Sequence, residues 1–290
     1  MKTTEAPALP YRSAGIGIMV VLFALAAVPS TLLAEEQDWR QRPSVSEPNV
    51  GKEDVQAEIA FGREVAARLL GRYRKYENEA LMKYVTLVGR SLTMNSSRPE
   101  IEYHFVVVDT PEINAYAAPG GYVFVTKGAI SQMKDEAELA GVLAHEITHV
   151  SEKHIVKELN IQGTEDSPAA GFARLVGGSS DSARVAFAQA VDKAIDMLFK
   201  DGYKREDETR ADKGAALLCA LSGYDASALA RYLERIGAVK GKQTEVLDKT
   251  HPAYSARVAL LKETIANEGI DIASLKTNKE RFAAAVKGMK

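Results

Sequence analysis

The sequence has 290 residues, of which 46% are hydrophobic and 26% charged, and it contains a single cysteine, Cys219. These fractions are typical of a globular chain with a sizeable core, and they exclude a fibrous or fully disordered protein. The 37 basic and 39 acidic residues give a net charge of −2. This balance provides no electrostatic basis for binding nucleic acid. One cysteine excludes an internal disulfide and any metal site built from several cysteines.

An uncharged, mostly apolar run covers residues 14–34. Lys2 and Arg12 precede the run and acidic residues follow it, an orientation that predicts export of the C-terminal part. The run fits a cleaved signal peptide whose helix ends at Pro29, and it also fits a membrane anchor kinked at that proline. We therefore predict a periplasmic protein whose residues 1–34 are a signal peptide or an N-terminal membrane anchor.

A polar stretch rich in proline and serine predicts a linker over residues 35–52, followed by one domain at 53–290. Hydrophobic periodicity and residue composition predict the first elements of this domain. In chain order these are helices over Asp54–Leu70 and Glu79–Met94, a strand over Ile101–Val108, and a second strand over Tyr122–Thr126 after a Pro-Gly-Gly turn.

From Asp135 onward the pattern is helical almost to the end of the sequence. A stretch rich in glycine and serine at Gly163–Ser182 predicts a loop. The amphipathic segment Ala183–Phe199 is expected to be a helix that faces the core; the alternatives are a helix that covers a cleft or contacts a membrane. The predicted fold class is α+β, mostly helical with a small sheet.

An HExxH sequence at His145–His149 indicates metal chemistry. Asp135 and Glu138 have the spacing of a helix capping box, so a helix is predicted to begin there and to carry the motif. Two histidines four residues apart lie on one helix face, one turn from each other, and can bind one zinc ion. Glu146 lies between them and can act as a general base towards a water molecule.

A catalytic zinc site needs a third protein ligand. On a continuous helix His154 points away from the motif, and it is expected to be a surface histidine. A later helix is predicted over Glu206–Leu221, and Glu208 lies on its apolar stripe, where a carboxylate is costly unless it is paired or binds metal. The alternative for Glu208 is an ordinary first-turn charge. Asp212 lies one turn further along the helix and could accept a hydrogen bond from the ring N–H of a ligand histidine.

Four stretches together resemble the membrane-associated zinc metalloproteases grouped with the CAAX prenyl endopeptidase, HtpX, the mitochondrial Oma-type protease and periplasmic BepA. They are Asn114–Thr126, Glu138–His149, Arg205–Asp212, and His251-Pro252 together with Arg257. The resemblance is strongest to a stand-alone BepA-like protease domain without the helical repeat domain that follows in BepA. It implies a gluzincin-type fold in which a small sheet lies beside the HExxH helix.

The resemblance also implies roles for individual residues. His145, His149 and Glu208 would bind one Zn²⁺ per chain, and Glu146 would be the general base. Asp212 would accept a hydrogen bond from the N–H of a ligand histidine.

Three further features are open to more than one interpretation. By the resemblance, His251 faces the zinc and either stabilises the oxyanion or fills the water site as a fourth ligand; the alternative is a helix-start histidine. Arg257 either pairs with an acid near the site or is a surface charge. Tyr122–Thr126 is predicted to be an edge strand that pairs with extended substrate, and the alternative is an ordinary paired strand.

These observations predict a zinc-dependent endopeptidase, and the resemblance implies that it cleaves misfolded or stalled envelope proteins. Its partners would be protein or peptide substrates and a membrane or outer-membrane assembly machinery, with no nucleic acid. The alternative is a non-catalytic chaperone or assembly factor with a capped or structural zinc site. The presence of Glu146 favours the enzyme, because a structural site needs no base.

Overall fold

A computed structural model of the chain describes residues 52–161, 181–239 and 241–289. The predicted signal peptide or anchor at 1–34, nearly all of the linker and most of the predicted loop at Gly163–Ser182 lie outside the described residues. Within the described part of the chain, no helix is both long and apolar enough to cross a membrane.

Helices flank a short sheet on both of its faces. The helices are α1 (Lys52–Arg72), α2 (Glu79–Thr93), α3 (Lys127–Gln132), α4 (Glu136–Ser151), α5 (His154–Glu158), α6 (Asp181–Asp196), α7 (Arg205–Leu221), α8 (Ala228–Ile236), α9 (Glu245–Thr250), α10 (Tyr254–Asn267) and α11 (Lys279–Ala285). The strands are β1 (His104–Val108), β2 (Ala115–Ala118) and β3 (Tyr122–Thr126). Short 3-10 turns lie at Pro119–Gly121 and Ile272–Ser274, and a π-helical turn at Met197–Asp201 extends α6. The predicted fold class is confirmed.

The strands are arranged in the order β1-β3-β2, with β1 parallel and β2 antiparallel to β3. The prediction that Tyr122–Thr126 is an edge strand is therefore wrong. Both edges of β3 are paired, because the Pro-Gly-Gly turn folds β2 back onto it while the chain upstream supplies β1. β2 is a short strand of four residues just before the turn, and it is the edge strand that lies next to α4.

The sheet separates two hydrophobic clusters because its side chains alternate between the two faces. Val123 and Val125 of β3 belong to the cluster formed with α2 and α4, whereas Phe124 belongs to the cluster formed with α1 and α6. In the second cluster the rings of Phe61 on α1 and Phe187 on α6 lie edge to face, with centroids 5.8 Å apart. The amphipathic segment that contains Phe187 therefore faces the core, as predicted.

The turn between β2 and β3 is held against α1. The carboxylate of Glu58 on α1 accepts a hydrogen bond of 3.0 Å from the Gly120 backbone and pairs with Arg98 at 3.0 Å, and both charged groups are buried. The helix also approaches the turn closely at Gly62, where an added Cβ would lie 1.7 Å from the Pro119 carbonyl oxygen. The contact is between the backbone of the helix and the backbone of the turn, and neither can move aside as a flexible side chain could. A side chain at Gly62 would therefore force the helix and the turn apart.

We predict that Gly62→Ala lowers the free energy of unfolding by about 1–3 kcal/mol or more, the usual scale of overpacking. Gly71→Ala is the matched control, because it lies on the same helix with nothing within 4 Å of the added Cβ. It should be neutral or stabilising by up to about 1 kcal/mol, since alanine is the better helix former. Urea unfolding curves of both variants provide the measurement, and equal midpoints would contradict the packing argument.

Candidate metal centre

The α4 helix begins as the sequence predicts and carries the HExxH motif into the interior. The Asp135 side chain accepts a hydrogen bond of 2.9 Å from the Glu138 backbone, which caps the first turn. The helix is surrounded by other elements, so that every residue from Glu136 to Val150 is buried. His145 and His149 lie on one face with their Nε2 atoms 3.1 Å apart.

Glu208 reaches the two histidines from α7. The two helices approach each other closely at Gly214, where an added Cβ would lie 2.5 Å from the Thr148 side chain. This approach places Glu208 Oε1 3.4 Å from His149 Nε2, and Glu208 Oε2 3.8 Å from His145 Nε2. Three ligand atoms from two helices therefore converge on one point.

The convergent side chains fit one tetrahedral cation. Ligand bonds of about 2.0–2.2 Å at tetrahedral angles separate neighbouring ligand atoms by about 3.3–3.6 Å. The separations between the two imidazole nitrogens and from each nitrogen to its nearer Glu208 oxygen, 3.1–3.8 Å, are close to that range. Glu208 is 1% exposed, and neither of its carboxylate oxygens accepts a hydrogen bond from the described residues. A buried carboxylate in this state is destabilising unless a cation pairs with it. A metal ion held by His145, His149 and Glu208 would remove this penalty.

Asp212 and Arg257 lie on the Nδ1 side of His145, away from the ligand nitrogen Nε2. Asp212 Oδ1 lies 3.0 Å from His145 Nδ1, and Arg257 binds the same carboxylate through Nε at 2.9 Å and Nη2 at 2.7 Å. Burial opposes the charged form of Asp212, but the guanidinium outweighs it and holds the pKa of Asp212 well below its usual range. An ionised Asp212 keeps the Nδ1 proton on His145, which leaves Nε2 free to bind metal.

Glu146 and His251 lie on the open side of the ligand set. Glu146 is 5% exposed, and burial raises the pKa of its carboxyl group to about 7. One ligand atom each from His145, Glu146 and His251 lies within 4.8 Å of the others. His251 Nδ1 is 3.0 Å from Thr250 Oγ1, and its Nε2 is 3.9 Å from Glu208 Oε2. The structure thus brings all seven predicted site residues together.

His154 was expected on the surface, and this prediction is wrong. It is 2% exposed, and its Nδ1 lies 2.7 Å from Nδ1 of His149. The expectation assumed a continuous helix, whereas α4 ends at Ser151 and Lys153 adopts the left-handed conformation with φ of 58°. The chain turns back there and brings His154 under the motif. Lysine is not a typical left-handed residue, so the sequence gives no signal of this turn.

Tyr203 belongs to the site without any signal in the sequence. Its ring stacks on His149 with centroids 4.0 Å apart, and its hydroxyl donates a hydrogen bond of 3.3 Å to the Ala117 carbonyl on β2. The preceding Gly202 has φ of 74° and approaches the Thr250 carbonyl so closely that a Cβ would lie 2.2 Å from it. This contact fixes the entry to α7 and with it the position of the tyrosine.

Comparison with known protein families identifies the family of the chain. A model of peptidase family M48 matches residues 79–265, which include α4, α7 and every site residue described above. The chain belongs to peptidase family M48. The family model begins at α2, so it also includes the whole sheet.

Several M48 relatives are similar to the chain at low identity. The beta-barrel assembly-enhancing protease of Escherichia coli (strain K12) is 25% identical over 223 residues, 70% of this chain and 42% of the relative. The mitochondrial metalloendopeptidase OMA1 of Schizosaccharomyces pombe is 28% identical over 193 residues, 62% of this chain and 52% of the relative. The metalloprotease YcaL of Escherichia coli (strain K12) is 25% identical over 211 residues, 73% of this chain and 77% of the relative. The chain thus spans less than half the length of the assembly-enhancing protease it matches.

We predict that Glu208→Ala weakens zinc binding by at least about 100-fold, beyond the 10- to 100-fold typical of residues that only support a ligand. Glu206→Ala is the matched control, because this carboxylate lies in the same turn of α7 but is exposed. It should change affinity by less than about twofold, since an exposed charge is well screened. Chelator competition on both purified variants gives the two dissociation constants. Equal zinc affinity in the two variants would place the third ligand elsewhere.

Proposed function

We propose that the chain is a zinc-dependent endopeptidase that cleaves misfolded or stalled proteins of the cell envelope. The observation that carries the proposal is the placement of Glu146 beside three convergent ligands, His145, His149 and Glu208, within a peptidase family. Two imidazoles and one carboxylate form the ligand set of many catalytic zinc sites. When bound there, zinc would supply an acidified water molecule and polarise the peptide carbonyl.

The chain's own groups fit the proton transfers of peptide hydrolysis. Burial raises the pKa of Glu146 to about 7, close to the value at which a general base is most effective near neutral pH. Glu146 would accept a proton as the attacking water becomes a nucleophile and return it to the leaving amine. His251, held neutral because burial lowers its pKa to about 3, lies next to both Glu146 and His145.

The β2 strand offers backbone groups for an extended substrate. Thr126 donates a backbone hydrogen bond of 3.1 Å to the Asn114 carbonyl. Because antiparallel pairing alternates, the backbone groups of Ala115 and Ala117 are directed away from β3. The Ala115 N–H donates a hydrogen bond of 2.9 Å to Asn114 Oδ1, so a peptide that pairs there would displace that side chain. Such a peptide would bind through its main chain, which requires an unfolded segment but little sequence specificity. This property suits misfolded or stalled proteins as substrates.

Two features beside β2 support the same substrate geometry. The Asn114 amide nitrogen Nδ2 is buried and makes no hydrogen bond with the described residues, so it is an unused donor that a substrate carbonyl could reach only after the site opens. A small cavity next to Glu146 and Ala115 has mainly apolar walls, which would accept an apolar substrate side chain. The main apolar side chains of its wall are Val142, Leu229, Leu233 and Leu247.

The location and partners of the protein are further proposals. The uncharged run at 14–34 supports export to the periplasm, with residues 1–34 as a signal peptide or anchor, 35–52 as a linker and 53–290 as the protease domain. The name of the Escherichia coli relative connects that protein with β-barrel assembly. By extension we propose an outer-membrane assembly machinery as a partner of this chain. The non-catalytic alternative is disfavoured by the buried Glu146, which a structural site does not need.

We propose that His251 restrains the enzyme in a resting state. Its Nε2 lies 3.9 Å from Glu208 Oε2, near the point where the three ligands converge, so it can occupy a fourth metal position and exclude water. The Tyr203 hydroxyl binds the outward carbonyl of Ala117 at 3.3 Å and occupies the strand that a substrate would need. Substrate binding would then require both side chains to move.

We predict that Glu146→Gln retains zinc but lowers proteolysis by at least ~10²-fold, because the ligands stay while the general base is lost. Cleavage of an unstructured protein such as casein, together with zinc content, provides the measurement. Retained activity would contradict the assigned role. Proteomics of cells that carry this variant or the unchanged protein would identify uncleaved envelope substrates.

We predict that His251→Ala raises basal cleavage of the same unstructured protein at unchanged zinc content, because the fourth position becomes open to water. If His251 instead stabilises the oxyanion, the substitution should lower kcat with little change in KM. His104→Ala is the control, since His104 is an exposed histidine at the start of β1. An unchanged cleavage rate would rule out both roles.

A further inference from the structure

The two motif histidines have different hydrogen-bond partners at Nδ1, the ring nitrogen that does not face the ligand cluster. His145 Nδ1 lies 3.0 Å from a carboxylate oxygen of Asp212. His149 Nδ1 lies 2.7 Å from another imidazole nitrogen, Nδ1 of His154. The second ring nitrogen of a ligand histidine commonly donates a hydrogen bond to a carboxylate, a carbonyl or water. An imidazole in this place is unusual and restricts the protonation of both rings.

Only one arrangement of protons leaves His149 able to bind metal. Its Nε2 must carry a lone pair, so the single proton of the neutral ring lies on Nδ1 and is donated to His154. Nδ1 of His154 must then accept, which places the proton of His154 on its Nε2. That Nε2 is buried and has no hydrogen-bond partner among the described residues, and the nearest carboxylate oxygen, on Asp207, is 3.7 Å away.

The local fold maintains this contact at an energetic cost. Lys153 has φ of 58°, a left-handed conformation that is unfavourable for a residue with a side chain. The reversal sends α5 back under α4, where Ile155 is 3% exposed and belongs to the same hydrophobic cluster as α1 and α6. His154, the first residue of α5, is thereby held 2% exposed against His149.

We propose that His154 is a positioning residue of the metal centre. Its Nδ1 accepts a hydrogen bond from the Nδ1–H of His149 and so holds that ring in the tautomer whose Nε2 faces the metal. Without an acceptor at this position, the proton of His149 is free to occupy Nε2, and metal binding must first displace it. The inference rests on the proposed zinc site, although the hydrogen bond itself belongs to the protein alone.

A pair of substitutions of equal shape tests the role of the acceptor. His154→Asn and His154→Leu have the same branching at Cγ and leave the same space, but only asparagine keeps an acceptor where Nδ1 lies. Zinc affinity is measured by chelator competition, with His104→Leu as a control for the loss of a histidine outside the site. We expect His154→Leu to weaken zinc binding about 10- to 100-fold, and His154→Asn to restore most of that loss. Unchanged affinity in the leucine variant, or equal losses in both, would overturn the proposal.

A second measurement examines the tautomer directly in zinc-free protein. Long-range proton–nitrogen NMR spectra distinguish a proton on Nδ1 from one on Nε2 of a neutral imidazole. We expect His149 to carry its proton on Nδ1 in the unchanged protein and in His154→Asn, and to shift it to Nε2 in His154→Leu. The same tautomer in all three proteins would overturn the proposal. If the unchanged protein binds no zinc, the proposed function fails, while the tautomer result still decides the role of His154.

Discussion

The site depends on a carboxylate that the protein alone does not satisfy. Glu208 is buried on an apolar stripe of α7, and neither of its oxygens accepts a hydrogen bond from the described residues. Removing such a charge from water destabilises a protein by several kcal/mol unless a cation compensates. The fold supplies the receptor for that cation by packing α4 against α7 at Gly214, where no side chain keeps the helices apart. The close helix contact and the unsatisfied carboxylate therefore both support the proposed metal centre.

Two protein groups occupy positions that a reaction would use. His251 lies beside the convergent ligands, and Tyr203 binds the outward carbonyl of β2. The segments that carry them touch, because Gly202 lies against the Thr250 carbonyl. A displacement of one segment would disturb the other, so a single opening movement would release both the water position and the substrate strand. This coupling suits an enzyme that must not cleave its folded neighbours.

Much of this structure can be predicted from the sequence because the patterns that specify it lie within single helices and strands. The hydrophobic periods of Asp54–Leu70 and Glu79–Met94 match α1 and α2 to within two residues at each end, and the capping residue Asp135 begins α4 where predicted. Glu208 was distinguished from its acidic neighbours by helix geometry alone, since only its position coincides with the apolar stripe. Each of these features depends on residues within one helical segment.

The failures concern contacts that no local pattern specifies. Strand order depends on pairing between segments far apart, so the sequence predicts β3 as a strand but not that both its edges are paired. His154 reached the interior through a left-handed lysine, a conformation that the residue type disfavours. Tyr203 contacts Ala117 across 86 positions of sequence, and nothing near it in the chain indicates that contact.

The neutral partner of His149 also affects the charge of the whole centre. The charges of Asp212 and Arg257 cancel each other, and His154 stays neutral while it accepts a hydrogen bond from His149. Glu208 then supplies the only net charge of the ligands and their direct partners. A divalent cation in such a set keeps a net positive charge, which strengthens its attraction for a substrate carbonyl and for negative charge that develops on it. A carboxylate in place of His154 would hold His149 as firmly but would neutralise the centre. An imidazole in this position therefore orients the ligand without weakening the electrophile.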